Sequence, residues 1–199
     1  MNKYEKIREL LFDECDEDML KHAYIFESSN IELSLQLAKD LSKKIFQTKS
    51  LDDISDYTFI KISDMNIQTI RHISEDCIIK PYKSKKIYVF EDSMKFSIAM
   101  QNAFLKTLEE PPEYAVIILI VHNERSILST VKSRCVNIKF NKLSDKDIKK
   151  YFLKNDLNFE DKNINVFKVL DGSLNNIDLI KDDYDELLNL MVFVTNLKE

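Results

Sequence analysis

Arg134 is the residue whose type and position best suit chemistry on a phosphate. It stands between Ser133 and Cys135, just ahead of an apolar run that begins at Val136. A guanidinium keeps its charge and donates two parallel hydrogen bonds, which suits carboxylates and phosphoryl oxygens alike. The position alone leaves two interpretations open: an internal salt bridge at the start of a strand, or a cation presented to a phosphate. Ser133 and Cys135 are expected to cap and pack, because a thiol beside a buried strand behaves as a small hydrophobic group.

Glycine content argues against a phosphate-binding loop in the chain itself. Such loops need glycine so that backbone N–H groups can approach the ligand closely. The 199 residues include one glycine, Gly172, and it lies near the end. Neither a Walker A loop nor a dinucleotide-binding fingerprint therefore fits this sequence.

The other reactive side chains form no second catalytic or metal-binding pattern. Cys15, Cys77 and Cys135 are too far apart for metal-ligand spacing or for a disulfide framework. They favour a reducing cytoplasm. His22 stands alone and is expected to be structural, and no Ser-His-Asp, Cys-His or paired-acid arrangement is present. We therefore expect neither a metal nor a cofactor.

Composition is that of a globular protein with no strong general attraction to nucleic acid. Hydrophobic residues make up 44% of the chain and charged residues 32%, and the net charge is −5. No apolar run approaches the roughly 20 residues that span a membrane. The first residues, MNKYEKIRELLFDECDED, are too charged for a signal peptide.

Strands and helices alternate along the first two thirds of the sequence. Apolar runs predict strands at 23–26, 57–62, 87–90, 115–121 and 136–140, and apolar periodicity predicts helices at 2–13, 31–46, 64–79, 97–109 and 124–128. Ser28 or Ser29 is expected to cap the second helix and Asp64 the third. This alternation is typical of an α/β domain in which helices cover both faces of a parallel sheet.

From residue 144 onward the pattern is helical only, with candidates at 144–155, 161–170, 174–180 and 184–196. The sequence therefore predicts an α/β core domain over 1–141 and a small all-helical domain over 142–199.

Two segments resemble the clamp-loader branch of the AAA+ ATPases. Residues 101–112 read QNAFLKTLEEPP, close to the QNALLKTLEEPP of that family, and a strand and the Ser-Arg-Cys motif at 133–135 follow. Residues 22–38, HAYIFESSNIELSLQLA, align without a gap with the family's first strand and P-loop, approximately HAYLFSGPRGTGKT-x-x-A. The resemblance implies an AAA+ P-loop-type sheet sandwiched by helices, followed by a helical lid.

The phosphate-binding positions of that P-loop are all replaced. Ser28 and Ile31 stand where the family has glycine, and Leu33 replaces the third glycine. Ser34 stands in place of the lysine, and Leu35 in place of the hydroxyl that holds Mg²⁺. Without the lysine the β- and γ-phosphate charges have no partner, so the resemblance implies that this chain does not bind ATP itself.

Two further nucleotide elements have also changed. Asn175 stands where the family's lid helix carries a nucleotide-sensing arginine. Glu91 and Asp92 follow the third strand where active members show Asp-Glu, and they are expected to form a solvated strand end. Asn123, at the position of a polar sensor, is expected to shape a turn. This combination resembles the delta-prime branch of bacterial clamp-loader subunits, whose members commonly do not hydrolyse ATP.

The resemblance implies that Arg134 is an arginine finger that serves the ATP of a neighbouring subunit. Ser133, Cys135 and Thr130 would belong to the same motif, and Glu109 and Glu110 to the subunit interface. The implied partners are the clamp-loader ATPase (gamma/tau) and delta subunits in a hetero-oligomer, and through them the sliding clamp and primer-template DNA. No membrane partner is implied.

Two other interpretations stay open. One is an AAA+-derived adaptor outside replication, since one scaffold hosts many functions. The other is an AAA+ ATPase with an unusual nucleotide site. Members of this family usually carry a helical collar domain after the lid, and we expect this chain to lack it.

Overall fold

The computed structural model describes residues 3–28 and 30–139. The helices are α1 (Lys3–Asp16), α2 (Ile31–Phe46), α3 (Ile67–Ile78), α4 (Ile98–Glu109) and α5 (Ser129–Lys132). The strands are β1 (Ala23–Glu27), β2 (Tyr57–Ile60), β3 (Lys86–Phe90), β4 (Ala115–Val121) and β5 (Val136–Lys139). The predicted helices beyond residue 144, the 142–199 domain and Asn175 lie outside the described residues.

All five strands form one parallel sheet in the order β2-β3-β4-β1-β5. Because the strands are parallel, every strand begins at one edge of the sheet and ends at the other. The register shows which residues lie side by side in neighbouring strands. Tyr24 of β1 pairs with Ile118 of β4 on one side and with Val136 of β5 on the other. The predicted parallel α/β architecture is confirmed.

Alternate residues of the central strands build two separate hydrophobic cores. In β4, Ile117 and Leu119 pack with α3, α4 and α5 on one face, and Ile118 and Ile120 pack with α1 and α2 on the other. All seven residues of β4 are buried, as a strand covered on both faces requires. The sheet is thus sandwiched by helices, as the sequence predicts.

The helix caps differ from the predicted ones. Asn30, and not Ser28 or Ser29, caps α2, since its side chain accepts a hydrogen bond from the Leu33 N–H at 3.1 Å. Asn66, and not Asp64, caps α3 by accepting from the Thr69 N–H at 2.9 Å. In both cases an asparagine directly before the first helical residue takes the role, because a cap must reach the N–H groups of the first turn.

Short elements account for the other differences. The second strand ends at Ile60, and a 3₁₀ turn at Ile62–Asp64 takes the place of its last predicted residues. The predicted helix at 124–128 is a 3₁₀ turn, Glu124–Ser126, followed by α5, which the sequence did not predict. The apolar spacing of α4 predicts that Ala99 faces the sheet, but Ala99 is exposed. Within the described ranges no helix is long and apolar enough to cross a membrane.

Asp76 ties α3 to β3 and makes the stability of the domain depend on pH. Its carboxylate lies 2.9 Å from the Lys86 Nζ and accepts the Tyr88 hydroxyl at 2.6 Å. Burial alone would raise the pKa of this carboxyl group, but the hydrogen bonds from Tyr88 and Lys86 outweigh burial and hold the pKa below its ordinary value. The charged form therefore stabilises the fold above an unfolded-state pKa of about 4, and this stabilisation is lost as pH falls through the lower folded-state pKa.

We expect Asp76→Asn to lower the free energy of unfolding at pH 7 by about 1.5–3 kcal/mol, the range for hydrogen bonds to charged groups. Urea unfolding of both proteins at pH 7 and near pH 3 checks this, and the difference between them should shrink at the lower pH. Asp53→Asn, at an exposed carboxylate, is the matched control. A difference that stays constant across this pH range would contradict the assignment.

Candidate functional site

Arg134 lies in the short connection between α5 and β5, and its side chain is 32% exposed. One terminal nitrogen donates to the Thr130 carbonyl at 2.7 Å and to the Ser133 hydroxyl at 3.2 Å. The other lies 2.7 Å from the Glu109 Oε1 and forms an ion pair with it. The internal salt bridge that the sequence left open is therefore present, on a side chain that still reaches solvent.

Packing of α4 brings Glu109 to Arg134. Leu108 of α4 and Val131 of α5 are buried in the same core. Upstream, the Gln101 side chain donates to the Phe96 and Ser126 carbonyls at 3.1 and 3.0 Å and accepts from the Leu128 N–H at 2.7 Å. Gln101 thus fixes the segment that leads into α5 against α4, a role that sequence reasoning missed.

An open surface pocket of about 430 Å³ surrounds the ion pair and is lined by His22, Leu108, Glu109, Ser133 and Arg134. The Nε2 atom of His22 is buried and has no hydrogen-bond partner among the described residues. The pocket places one cation and one carboxylate at the surface. A phosphate group arriving here would meet the Arg134 guanidinium in competition with Glu109.

The other residues of the predicted motif have structural roles in this chain. The Ser133 hydroxyl donates to the Thr130 carbonyl at 3.1 Å. Cys135 packs against the core, and burial raises the pKa of its thiol to about 12, which keeps the thiol protonated at neutral pH. Glu110 is exposed and follows the last residue of α4. The expected packing and capping roles of Ser133 and Cys135 agree with these contacts.

Ser28 and Asn30, after β1, bind backbone N–H groups of their own segment. Ser28 is buried, and its hydroxyl accepts a hydrogen bond from the Asn30 N–H at 2.9 Å. The Asn30 side chain in turn accepts a hydrogen bond from the Leu33 N–H at the start of α2. A P-loop would present backbone N–H donors to phosphate at this place. Ser34, which the resemblance aligns with the P-loop lysine, is fully buried.

Two of the three apolar residues in the first turns of α2 pack against the core. Ile31 and Leu35 lie against the core formed by α1, α2 and the sheet. Leu33, between them along the chain, is partly buried.

Both acidic side chains after β3, those of Glu91 and Asp92, accept hydrogen bonds from backbone N–H groups. Glu91 accepts a hydrogen bond from the Ile62 N–H at 2.8 Å, and Asp92 accepts from the Met94 N–H at 3.0 Å. The expectation of a solvated strand end is wrong for Asp92, which is buried because it caps the 3₁₀ turn that follows. Asn123 accepts from the Arg125 N–H at 2.9 Å, which confirms its predicted role in a turn.

Arg134 and the residues that follow β1 lie at opposite ends of the strands. Ser28 follows the last residue of β1, whereas Arg134 precedes β5, whose first residue pairs with Tyr24 near the start of β1. The intervening length of β1 is about five residues, or roughly 16 Å at 3.3 Å per residue. Arg134 lies at the end of the sheet where the strands begin. It therefore cannot contact a phosphate held by the same chain at the end where the strands finish.

The sequence comparisons match this chain to subunits of DNA polymerase III. The sequence model of the family described as DNA polymerase III, delta subunit, matches residues 3–144. The DNA polymerase III subunit gamma of Buchnera aphidicola subsp. Schizaphis graminum is 38% identical over 94 residues, which cover 45% of this chain and 26% of that protein. The DNA polymerase III subunit delta' of Bacillus subtilis is 25% identical over 170 residues, which cover 76% of this chain and 52% of that protein. The chain thus spans about a quarter to a half of these relatives.

Solved structures share the fold. A DNA polymerase III, gamma subunit-related protein from Thermotoga maritima superposes with a TM-score of 0.59 at 22% identity, over 94% of this chain and 57% of that chain. The RuvB Holliday junction branch migration motor of Thermotoga maritima superposes with a TM-score of 0.54 at 11% identity, over 74% of this chain and 47% of that chain. At these identities the likeness concerns the fold alone, and it confirms the predicted AAA+-type core.

Proposed function

The chain belongs to the DNA polymerase III, delta subunit family, a family of clamp-loader subunits in DNA replication, and from that premise we propose that it acts on a neighbouring subunit's ATP and hydrolyses none itself. In this proposal Arg134 is a trans-acting arginine finger. It inserts into the nucleotide site of the adjacent ATPase subunit and stabilises the charge that develops during phosphoryl transfer.

The position of Arg134 carries the proposal. The guanidinium is partly exposed in an open pocket at the end of the sheet where the strands begin. The chain's own degenerate P-loop lies at the opposite end of the strands. A side chain in that place can meet a phosphate only if another molecule brings it. Its planar fork suits phosphoryl oxygens better than a lysine would, because it donates two hydrogen bonds in a fixed geometry.

The ion pair with Glu109 is compatible with release of Arg134. Both side chains are partly exposed, at 32% and 46%. Exposed pairs of this kind contribute about 0–1 kcal/mol, because water screens them and holding two long side chains costs entropy. A triphosphate carries far more negative charge than one carboxylate, so Glu109 serves as a resting partner that the nucleotide displaces.

The closed loop after β1 supports the absence of hydrolysis in this chain. Asn30 already accepts from the Leu33 N–H at the start of α2, and Ile31 and Leu35 pack against the core. No lysine or glycine of a Walker A loop is present there. The degenerate P-loop is therefore a scaffold element in this proposal.

The proposed partners are the clamp-loader ATPase (gamma/tau) and delta subunits, and through them the sliding clamp and primed DNA. Relatives named as gamma, gamma/tau and delta' subunits of DNA polymerase III support a place in such a complex. Within the chain, we propose that residues 1–141 form the AAA+ core and residues 142–199 a helical lid.

Isolated protein is expected to bind no ATP at millimolar concentration, since the first turn of α2 offers no free phosphate cradle. Titration with a fluorescent ATP analogue checks this, with the ATPase subunit alone as the positive control. Saturable binding to the isolated chain would contradict the proposal. That result would instead support an ATPase with an unusual nucleotide site.

A further inference from the structure

The Arg134 guanidinium divides its hydrogen bonds between two kinds of partner. Its Nη1 atom donates to the Thr130 carbonyl at 2.7 Å and to the Ser133 hydroxyl at 3.2 Å. Its Nη2 atom donates to the Glu109 Oε1 at 2.7 Å. The partners of Nη1 are therefore neutral and belong to the segment that carries Arg134, whereas the partner of Nη2 is an anion from another helix.

The neutral partners lie at the last turn of α5 and are themselves held in place. The Ser133 hydroxyl donates to the Thr130 carbonyl at 3.1 Å, so these two groups and Nη1 are joined by three hydrogen bonds. The backbone N–H of Arg134 donates to the carbonyl of Val131, a core residue that is 2% exposed. The arginine thus folds back over a turn that the core fixes, and Nη1 is anchored there.

The anionic partner is held much less firmly. Glu109 is the last residue of α4, and its side chain is 46% exposed. Among the described residues its carboxylate pairs with no cation besides Arg134. Exposed ion pairs contribute little, because water solvates both charges when they separate. Glu109 can therefore turn into solvent while Arg134 keeps its place on α5.

The guanidinium keeps two donors for a phosphate once Glu109 has moved. Arginine carries five N–H donors, two on each terminal nitrogen and one on Nε. The two donors of Nη1 are used on α5. No acceptor among the described residues lies on the Nε of Arg134. Nε and Nη2 lie side by side and can donate two parallel hydrogen bonds, the geometry in which arginine binds phosphoryl oxygens.

We propose that the finger works by exchange at one nitrogen. Nη1 stays on the Thr130 carbonyl and the Ser133 hydroxyl, and at Nη2 a phosphoryl oxygen of the neighbour's ATP takes the place of the Glu109 carboxylate. Ser133 is then a positioning residue for Arg134, and Glu109 is a competing anion that the nucleotide must displace. This inference rests on the proposed function and specifies how its one catalytic side chain is positioned and restrained.

The alternative is an arginine that leaves all three partners and extends towards the nucleotide. Complete release would also break the hydrogen bonds of Nη1, and the long side chain would have to be ordered again at the phosphate. Exchange at one nitrogen disturbs only an exposed ion pair and delivers a donor that is already oriented. Such orientation matters, because a misplacement of about 1 Å can cost about a hundredfold in rate.

The first test is Ser133→Ala in the full chain, assembled with the ATPase subunit of the same organism. We expect single-turnover hydrolysis at saturating ATP to slow by about threefold to tenfold, the effect of one lost hydrogen bond. Ser133→Thr keeps a hydroxyl and should restore the rate. The matched control is Ser129→Ala, which changes an exposed serine at the other end of α5 and should leave the rate unchanged.

Combination with Arg134→Ala distinguishes positioning from a merely structural role. If Ser133 acts through the guanidinium, the double variant should hydrolyse ATP no more slowly than Arg134→Ala alone. A serine that only stabilises α5 would slow the Arg134→Ala complex as well.

The second test is Glu109→Gln, with Glu110→Gln at the next, equally exposed position as the matched control. Glutamine keeps the shape of the side chain but loses the charge, so it competes less with a phosphate. We expect kcat/KM for ATP to rise by about twofold to fivefold, the range for a partly exposed ion pair, and to stay unchanged in the control. This ratio includes the cost of breaking the pair, whether the pair breaks on ATP binding or during the reaction.

Either of two results would overturn the inference: a Ser133→Ala rate equal to that of Ser129→Ala, or a Glu109→Gln kcat/KM no higher than that of Glu110→Gln. Arg134→Ala, measured in parallel, separates the inference from the proposed function. If Arg134→Ala is slow while the Ser133 and Glu109 variants match their controls, the exchange is wrong and the finger role remains. If Arg134→Ala hydrolyses ATP at the wild-type rate, the finger role is wrong and the exchange is wrong with it.

Discussion

Replacing Arg134 with alanine is expected to slow ATP hydrolysis at the neighbouring subunit's site by at least about a hundredfold. Arginine fingers in well-studied phosphoryl-transfer enzymes contribute about 10³–10⁵ in rate, because they neutralise charge that develops in the transition state. The measurement is single-turnover hydrolysis in a complex where the ATPase subunit beside this chain is the only one with an intact nucleotide site. This arrangement prevents other sites from masking the effect.

Two further variants make the result specific to the guanidinium. Arg134→Lys keeps the charge but loses the planar fork, so we expect it to recover little of the rate. Arg125→Ala removes an exposed arginine from the 3₁₀ turn before α5 and should leave the rate unchanged. If Arg134→Ala hydrolyses ATP as fast as Arg125→Ala, Arg134 is not an arginine finger.

Unfolding does not explain the expected loss. The Arg134 ion pair with Glu109 is partly exposed and contributes at most about 1 kcal/mol. The stability and assembly of Arg134→Ala should therefore stay near those of the wild type. A slow variant that still assembles isolates the chemical contribution of this one side chain.

Phe104→Ala is expected to have the largest effect on stability. The ring is 1% exposed at the centre of α4, and its centroid lies 5.5 Å from that of Phe90 in an edge-to-face contact. Truncation of a buried phenylalanine costs about 3–5 kcal/mol, through lost burial and the cavity that remains. That loss is a large part of the roughly 5–15 kcal/mol that stabilises a domain.

Urea unfolding measures this cost. The matched control on the same helix is Asn102→Ala, an exposed position where we expect a change within about 0.5 kcal/mol. Because α4 also carries Glu109 and Gln101, the Phe104 variant should lose the ordered Arg134 pocket as well. A cost below about 1 kcal/mol would mean that α4 does not pack on the sheet as described.

Long periodic segments of the fold were predictable from sequence, and short ones were not. The bounds of α2 and β4 agree with the sequence prediction, since sixteen residues of regular apolar spacing and seven continuous apolar residues give strong signals. The four-residue helix α5 is too short to show a period. The caps at Asn30 and Asn66 were missed, because several neighbouring polar residues qualify and only backbone geometry selects among them.

The sequence singled out Arg134 but could not predict its contacts. The Ser-Arg-Cys motif directed attention to Arg134, whereas its pairing with Glu109 joins positions 25 apart in the sequence and depends on how α4 packs beside α5. The hydrogen bond from the Tyr82 N–H to the Asp56 carboxylate spans 26 positions and carries no local signal. Such long-range polar contacts follow from the assembled sheet, which sequence patterns specify only in outline.

The measurement that tests the central claim most directly is a structure of this chain assembled with its ATPase neighbour and a non-hydrolysable ATP analogue. Our account predicts that Arg134 has left Glu109 and that a guanidinium nitrogen lies about 3 Å from an oxygen of the neighbour's γ-phosphate. An Arg134 still paired with Glu109, with no side chain of this chain contacting the phosphates, would contradict it.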